Sequence, residues 1–302
     1  MKSRLQSAME YLMTYGWAIL VIGVVLGALY YLGVFNPVNL APREHPGSCS
    51  VYRPNGQWNT SFIGLTGTCN SGIPQYVASF SGKNGSYISL GNSTQLSPEN
   101  GINGAMTFCM WYRINSATGY DGPMIKGELG PSKGNAWEYT LDQNGAPTSF
   151  TIWNGAGVNV AWKSTVKSMS LVEKQWLFSC FTYNYTEKSD YYYLNGTEYA
   201  GSFNSLEMGS AGSGLLIIGQ GEHGPSNVSI SNVQLYNNSL SSADIGQLYT
   251  EGIGGAPIAL SSLVGWWPLN GNADDYSGNG QNGVAYNVTF TGAYLSGYSI
   301  PG

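Results

Sequence analysis

From Tyr11 to Pro42 the chain carries no Asp, Glu, Lys, Arg or His, and Trp17 to Phe35 is nearly all apolar. At about 1.5 Å rise per residue, such a run is long enough to cross a bilayer core of about 30 Å. The pattern predicts a hydrophobic helix over residues 6–36 that must be covered by lipid or by other helices. Tyr11, Tyr15, Trp17, Tyr30 and Tyr31 flank the run as an aromatic belt does. Lys2 and Arg4 precede it, which holds the N-terminus on the cytoplasmic side and sends the rest of the chain outside. Gly23 and Gly27 form a small-xxx-small pair, extended by Gly16, so one face of the helix allows close approach of another.

What stands between the cations and the apolar run is unusual. A secretory signal peptide runs from cations straight into its apolar stretch and ends at a small-residue cleavage site. Here Gln6, Ser7 and Glu10 intervene. A carboxylate at the mouth of an apolar helix is expensive to bury without a cation partner. The segment Gln6-Ser7-Ala8-Met9-Glu10-Tyr11-Leu12 resembles the class III signal peptide motif of archaeal type IV pilin-like proteins. The resemblance implies a dedicated class III signal peptidase cutting between Leu5 and Gln6, so that residues 1–5 are removed and Glu10 becomes the fifth mature residue. It also implies that Glu10 meets the terminal amine of a neighbouring copy, at Gln6, during filament assembly. Ala8 stands where that motif usually has Ser, and Leu12 comes earlier than the usual Leu.

Beyond the helix the composition changes. Charged residues make up only 10% of the chain and the net charge is −5, which gives no support to a nucleic-acid partner. Residues 37–73 read as a connector, and residues 74–302 as one all-β domain large enough for its own core. Short runs such as YVASF, SYISL, MTFCMWYR, WEYTLD, QWLFSCFTYN and LLIIG alternate with Gly, Asn and Ser clusters. That spacing suggests a sandwich.

Four Cys in an exported chain are most simply two disulfides, and sequence alone allows three connectivities. Cys49 and Cys69 lie in the connector, whereas Cys109 and Cys180 lie in two strong strand patterns. Sequons occur at Asn59, Asn84, Asn92, Asn184, Asn195, Asn227, Asn237 and Asn287; glycans there would help solubilise a surface with few charges.

Taken in order, the strand runs, the Val233 to Tyr249 segment and the string GWWPLNGNADDYSGNG resemble a laminin-G/concanavalin A-like domain over about Pro74 to Asn287. The resemblance implies a jelly roll of two antiparallel sheets, of a kind that mostly binds glycans or proteins. It also implies that the strands of Cys109 and Cys180 are neighbours, which would pair those two and leave Cys49 for Cys69. The Gly265 to Gly280 string usually opens such a domain but here follows the closing helix. The order looks permuted, and the tail 263–291 is expected to return beside the closing strand of its own chain.

Chemistry beyond binding finds little footing. No ExDxxE string occurs, and Glu173, Glu187 and Asp190 do not reproduce it. His45 and His223 are isolated from any triad arrangement, and no phosphate loop is present. No enzymatic activity and no cofactor are expected. Asp274 and Asp275 are weak candidates for calcium, against a turn in which Asp and Asn bond their own backbone. Trp266 and Trp267 could stack on sugar, but strand alternation buries at least one. The sequence therefore reads as a structural subunit of a surface filament, helix in the core and lectin-like domain outside, with copies of itself as partners, surface glycans as ligands and the membrane as host before assembly. The alternative is a singly anchored adhesin.

Overall fold

The computed structural model describes residues 2–32, 34–35, 41–70, 72–97, 104–116, 121–127, 137–141, 147–154, 158–163, 174–200, 214–221, 224–292 and 296–301, without the side chains of 2–12, 14, 121, 147–163 and 200. It divides into two units, Met1–Pro42 and Arg43–Gly302.

The first unit is one helix, α1 (Lys2–Tyr31). It begins ahead of Gln6 and stops short of the expected residue 36. Pro37 disfavours a helical residue before it, and the Val34 N–H donates to the Leu29 carbonyl five residues back, a common helix ending. From Trp17 to Phe35 the large apolar side chains other than Leu29 are open to solvent, Trp17, Ile19, Ile22 and Val24 each by more than half. Among the described residues no helix is long and apolar enough to cross a membrane; the described side chains of α1 begin at Met13.

The second unit is a two-layer antiparallel sandwich. Its strands are β1 (Tyr76–Ser79), β2 (Tyr87–Ser89), β3 (Ala105–Ile114), β4 (Asp121–Gly127), β5 (Trp137–Leu141), β6 (Pro147–Asn154), β7 (Val158–Lys163), β8 (Trp176–Asn184), β9 (Ser189–Leu194), β10 (Thr197–Ala200), β11 (Leu215–Ile218), β12 (Val228–Tyr236), β13 (Leu263–Trp267), β14 (Val284–Tyr286) and β15 (Thr289–Gly292). One sheet runs β7-β6-β5-β4-β11-β2-β14; the other runs β10-β9-β8-β3-β12-β1-β15, with β13 also on β12.

Alternation on β3 shows how the core forms. Met106, Phe108, Met110, Tyr112 and Ile114 point between the sheets and meet Trp137, Tyr139, Leu216 and Ile218 from the other layer. The opposite face of β3 carries Cys109 and Trp111, both buried. They are covered because α2 (Ser242–Glu251) lies over that sheet, its Tyr249 ring stacked on Trp111 with centroids 5.9 Å apart and Tyr298 edge-on to the same indole. A capping box starts α2: the Asp244 N–H donates to the Ser241 hydroxyl and the Ser241 N–H to the Asp244 carboxylate. Cys109 and Cys180 are register partners on β3 and β8 and form one disulfide; Cys49 and Cys69 form the other.

The tail joins both layers. β13 pairs with β12, β14 with β2 and β15 with β1, all antiparallel. β12 makes room for it at Asn232, whose φ of 52° accompanies a bulge between Ser231 and Gln234. On one flank of β12, Ser229 and Ile230 pair with β1 and Val233 to Tyr236 pair with β13, so the two strands follow one another along the same edge. The Asn232 side chain fixes this junction: its Oδ1 accepts from the Trp266 indole and the Gln234 amide, and its Nδ2 donates to the Gly255 carbonyl.

The connector expected over 37–73 belongs from Arg43 onward to the compact unit. Cys49–Tyr52 pairs with Gly64–Gly67 as a hairpin stapled by Cys49 and Cys69. Arg53 anchors it to the tail, donating from Nε to the Ser277 carbonyl and from Nη2 to those of Leu260 and Leu263.

Candidate functional site

The outer face of the seven-stranded sheet carries a stacked aromatic pair at its edge strand. Tyr87 on β2 and Tyr286 on β14 are register partners with rings stacked at 4.8 Å and 28°. Tyr286 is 45% exposed, and Val284 beside it 54%. Short bonds hold the tail strand there. The Ser86 hydroxyl donates to the Asn287 carbonyl and the Asn287 amide donates to the Gly85 carbonyl, at 3.0 and 3.1 Å. Asn287, at φ 48°, turns the chain from β14 into β15 and so from one sheet to the other. The platform therefore exists only because the tail is folded against β2.

Deeper on this face, alternation places Ile125, Ile217 and Glu138, all buried. The Glu138 carboxylate lies where a Cβ at Gly122 or Gly221 would collide with it, which explains why both neighbours are glycine. Hydrolysis of a glycoside by two carboxylates needs a pair within about 5–10 Å across the bond. Asp190 sits in the other sheet, on the inward face with Tyr192, where burial pushes its carboxyl up to about 6. Glu187 is exposed and folds into the turn after Asn184, whose Oδ1 accepts its N–H. Glu173 and His223 lie outside the described residues.

The acidic tail loop is a closed structural unit. Asp275 Oδ1 accepts the N–H of Trp266 and Ser277, and Oδ2 accepts the Gln281 N–H and the Ser277 hydroxyl, at 2.8–3.0 Å. Asp274 accepts from the Asn272 amide. With its oxygens so occupied, Asp275 is a turn organiser rather than a calcium ligand. No cluster of three metal-ligating side chains occurs among the described residues. Both indoles of this segment are buried. Trp267 fills the inter-sheet core and donates to the Gln281 carbonyl, while Trp266 points outward and is covered by Tyr276, its ring centroid 6.3 Å away and edge-on. Neither offers a face to sugar.

A small cavity lies at the junction of hairpin, tail and β12, lined by Glu44, His45, Asn232, Gly254, Trp266 and Asn270. Glu44 accepts the Gly72 N–H at 3.3 Å, and burial pushes its carboxyl up to about 7. His45 is exposed and bonds Gln75.

On α1, Gly16, Gly23 and Gly27 have open space where a Cβ would stand. The side chains of Leu5, Gln6 and Glu10 lie outside the described residues. The eight sequons are scattered over the sandwich and the hairpin. The tyrosine pair is the feature that sequence reasoning missed. Tyr87 in SYISL and Tyr286 in VAYNV were visible, but nothing local links strands almost two hundred residues apart.

The family model of the concanavalin A-like lectin/glucanases superfamily matches residues 81–246. That span stops inside α2, so the tail that carries Tyr286 lies beyond it. A structure titled a "putative carbohydrate binding protein" from Bacteroides ovatus aligns with a TM-score of 0.51 at 16% identity, over 78% of this chain; the chain spans 64% of that protein's length. A SAP-like pentraxin from Limulus polyphemus aligns at 0.49 and 13% identity, over 74% of this chain and 98% of its own. A NanB sialidase from Streptococcus pneumoniae aligns at 0.46 and 16% identity, over 57% of this chain and 27% of its own. No curated protein matches the chain.

Proposed function

The chain belongs to the concanavalin A-like lectin/glucanases superfamily, and on that footing we propose that it is a carbohydrate-binding protein displayed at the cell surface as a subunit of an archaeal type IV pilus-like filament. In this reading α1 packs against copies of itself in the filament core and the sandwich decorates the outside. The observation that supports assembly is that the described apolar side chains of α1, which follow the Gln6 to Leu12 motif, are largely exposed. Leaving that area in water costs about 25 cal/mol per Å², so it must be covered. Membrane lipid covers it after export, and neighbouring α1 helices do so after cleavage before Gln6. Gly16, Gly23 and Gly27 leave room for those neighbours.

The Tyr87–Tyr286 platform is the sugar-contacting surface in this reading, because tyrosine rings present both a flat apolar face and a hydroxyl to a pyranose. Binding rather than glycoside cleavage fits the separation of Glu138 and Asp190 into different layers. Two experiments test the two halves separately. Negative-stain microscopy of sheared surface filaments, with N-terminal sequencing, should show filaments whose subunit begins at Gln6. Single anchored molecules with an intact Met1 would mean the adhesin alternative. Glycan-array binding by residues 43–302 should be lost on Tyr286→Ala; unchanged binding by that variant would remove the platform from the site.

A further inference from the structure

We propose that the fold selects two of the eight sequons, Asn92 and Asn237, as acceptors of N-linked glycan and withholds the other six. The inference rests on the extracytoplasmic reading but not on filament assembly or sugar binding. Transfer requires the asparagine Nδ2 to reach C1 of a lipid-linked oligosaccharide. A C–N bond forms, the bond from C1 to the lipid-borne phosphate oxygen breaks, the lipid phosphate leaves, and a base of the membrane transferase takes the amide proton. The enzyme must also read the hydroxyl two residues on, as the Asn-x-Ser/Thr rule states. A folded sequon is therefore competent only if both groups are at the surface and neither is buried or tied to the backbone.

Six sequons fail on one count or the other. The Asn287 Nδ2 is committed to the Gly85 carbonyl. The Asn195 side chain accepts the Phe178 N–H from within a tight turn, at φ 49°. Asn184 is half-buried and accepts the Glu187 N–H, and Asn59 is half-buried and folded back on the Ser61 N–H. Asn84 is exposed, but its sequon hydroxyl is that of Ser86, which is buried and bonded to Asn287. Asn227 leads into β12, where the Ser229 hydroxyl is buried against Asn115.

Asn92 and Asn237 differ from these. Both are exposed, and no hydrogen bond ties either side-chain amide among the described residues. The Thr94 hydroxyl is exposed and donates only to the equally exposed Gln95 side chain, a surface bond that water or the enzyme can replace, and Ser239 is only partly covered. Asn92 follows Gly91, whose φ is 86°, ahead of the short helix at Thr94–Leu96, and Asn237 lies in the bend between β12 and α2.

The test is glycopeptide mapping, under non-reducing conditions, of the full chain exported from a host with a lipid-linked oligosaccharide transferase. Short synthetic peptides spanning each sequon are offered to the same transferase alongside. Glycan at Asn92 and Asn237, bare asparagine at the other six, and acceptance of all eight peptides is the expected result. Glycan on Asn184, Asn195 or Asn227 of the folded chain would overturn the selection, and so would bare Asn92 and Asn237 in a chain carrying both disulfides. Rejection of the six peptides would also overturn it, because local sequence would then be choosing. A chain with reduced cysteines would instead refute the extracytoplasmic reading, which the same map distinguishes.

Discussion

Replacing Trp267 by Ala tests whether the tail completes its own sandwich. The indole is fully buried in the inter-sheet core with Val233, Val264 and Leu269, and its N–H donates to the Gln281 carbonyl at 2.8 Å. Its ring also occupies the space above Gly265, so removing it opens a void that Gly265 cannot fill. Truncating a buried Trp to Ala costs about 3–5 kcal/mol, and the orphaned carbonyl about 1 more. Against a total of about 5–15 kcal/mol, that is a large share. For residues 43–302, with an m-value near 3 kcal/mol/M in urea, the midpoint should fall by about 1–2 M without change in slope. Urea unfolding followed by tryptophan fluorescence measures it, at two protein concentrations. A shift below about 1 kcal/mol would place the tail outside its own core. A midpoint that rises with concentration would mean the tail is donated to a neighbour, since association makes stability depend on concentration.

Glu44 and Asp190 set an acid-favoured stability. Glu44 titrates at about 7 in the fold against an ordinary 4.5, so its contribution is complete below pH 4.5 and is lost as pH rises towards 7. After discounting for its partial exposure the loss is about 1–2 kcal/mol, and Glu44→Gln should flatten that part of a pH–stability curve, leaving the slope between 3.8 and about 6 from Asp190. If Glu44→Gln leaves the whole slope intact, burial of Glu44 is not its origin. Chelation by EDTA should leave the melting temperature unchanged, because Asp275 is already satisfied by four donors; a drop would reinstate a metal in the tail loop. Glu10→Gln should abolish filaments while export persists if the carboxylate pairs with a neighbour's amine as proposed; normal filaments would favour a carboxylate solvated at the headgroup level.

The two-sheet architecture was legible because its strands announce themselves. β3 and β8 are nine or ten residues of aromatic and aliphatic side chains bounded by turn formers, and they read as strands without help. Their continuous burial, on both faces, was less legible. Alternation buries at least one of Trp266 and Trp267, and both are buried because α2, the hairpin and the tail wrap the outer face of the second sheet. Likewise, the segment before Pro74 read as a connector because it is short-stranded and turn-rich. What makes it part of the domain are bonds to groups more than two hundred residues away, from the Arg53 side chain above all and also from Glu44, Val51 and Trp58, which no local pattern reports.

The candidate site shows the same limit in sharper form. The sequence set sugar contacts at Trp266 and Trp267 against burial, and calcium at Asp274 and Asp275 against a turn bonding its own backbone, because those residue types carry either role in isolation. In the fold each is consumed by the tail's own closure: one Trp by the core, one by Asn232 and Tyr276, and Asp275 by four donors. A tail that must re-enter two sheets has to satisfy its turn internally, so its most polar residues become its scaffolding. The exposed chemistry is displaced to Tyr286, where the tail strand ends at a sheet edge and has no further layer to cover it. An edge strand leaves its outer face and one row of backbone groups open. In a domain closed by its tail in this way, the place to look for a ligand is therefore where the tail strand lies against the sheet edge, and not in the motif that turns the tail.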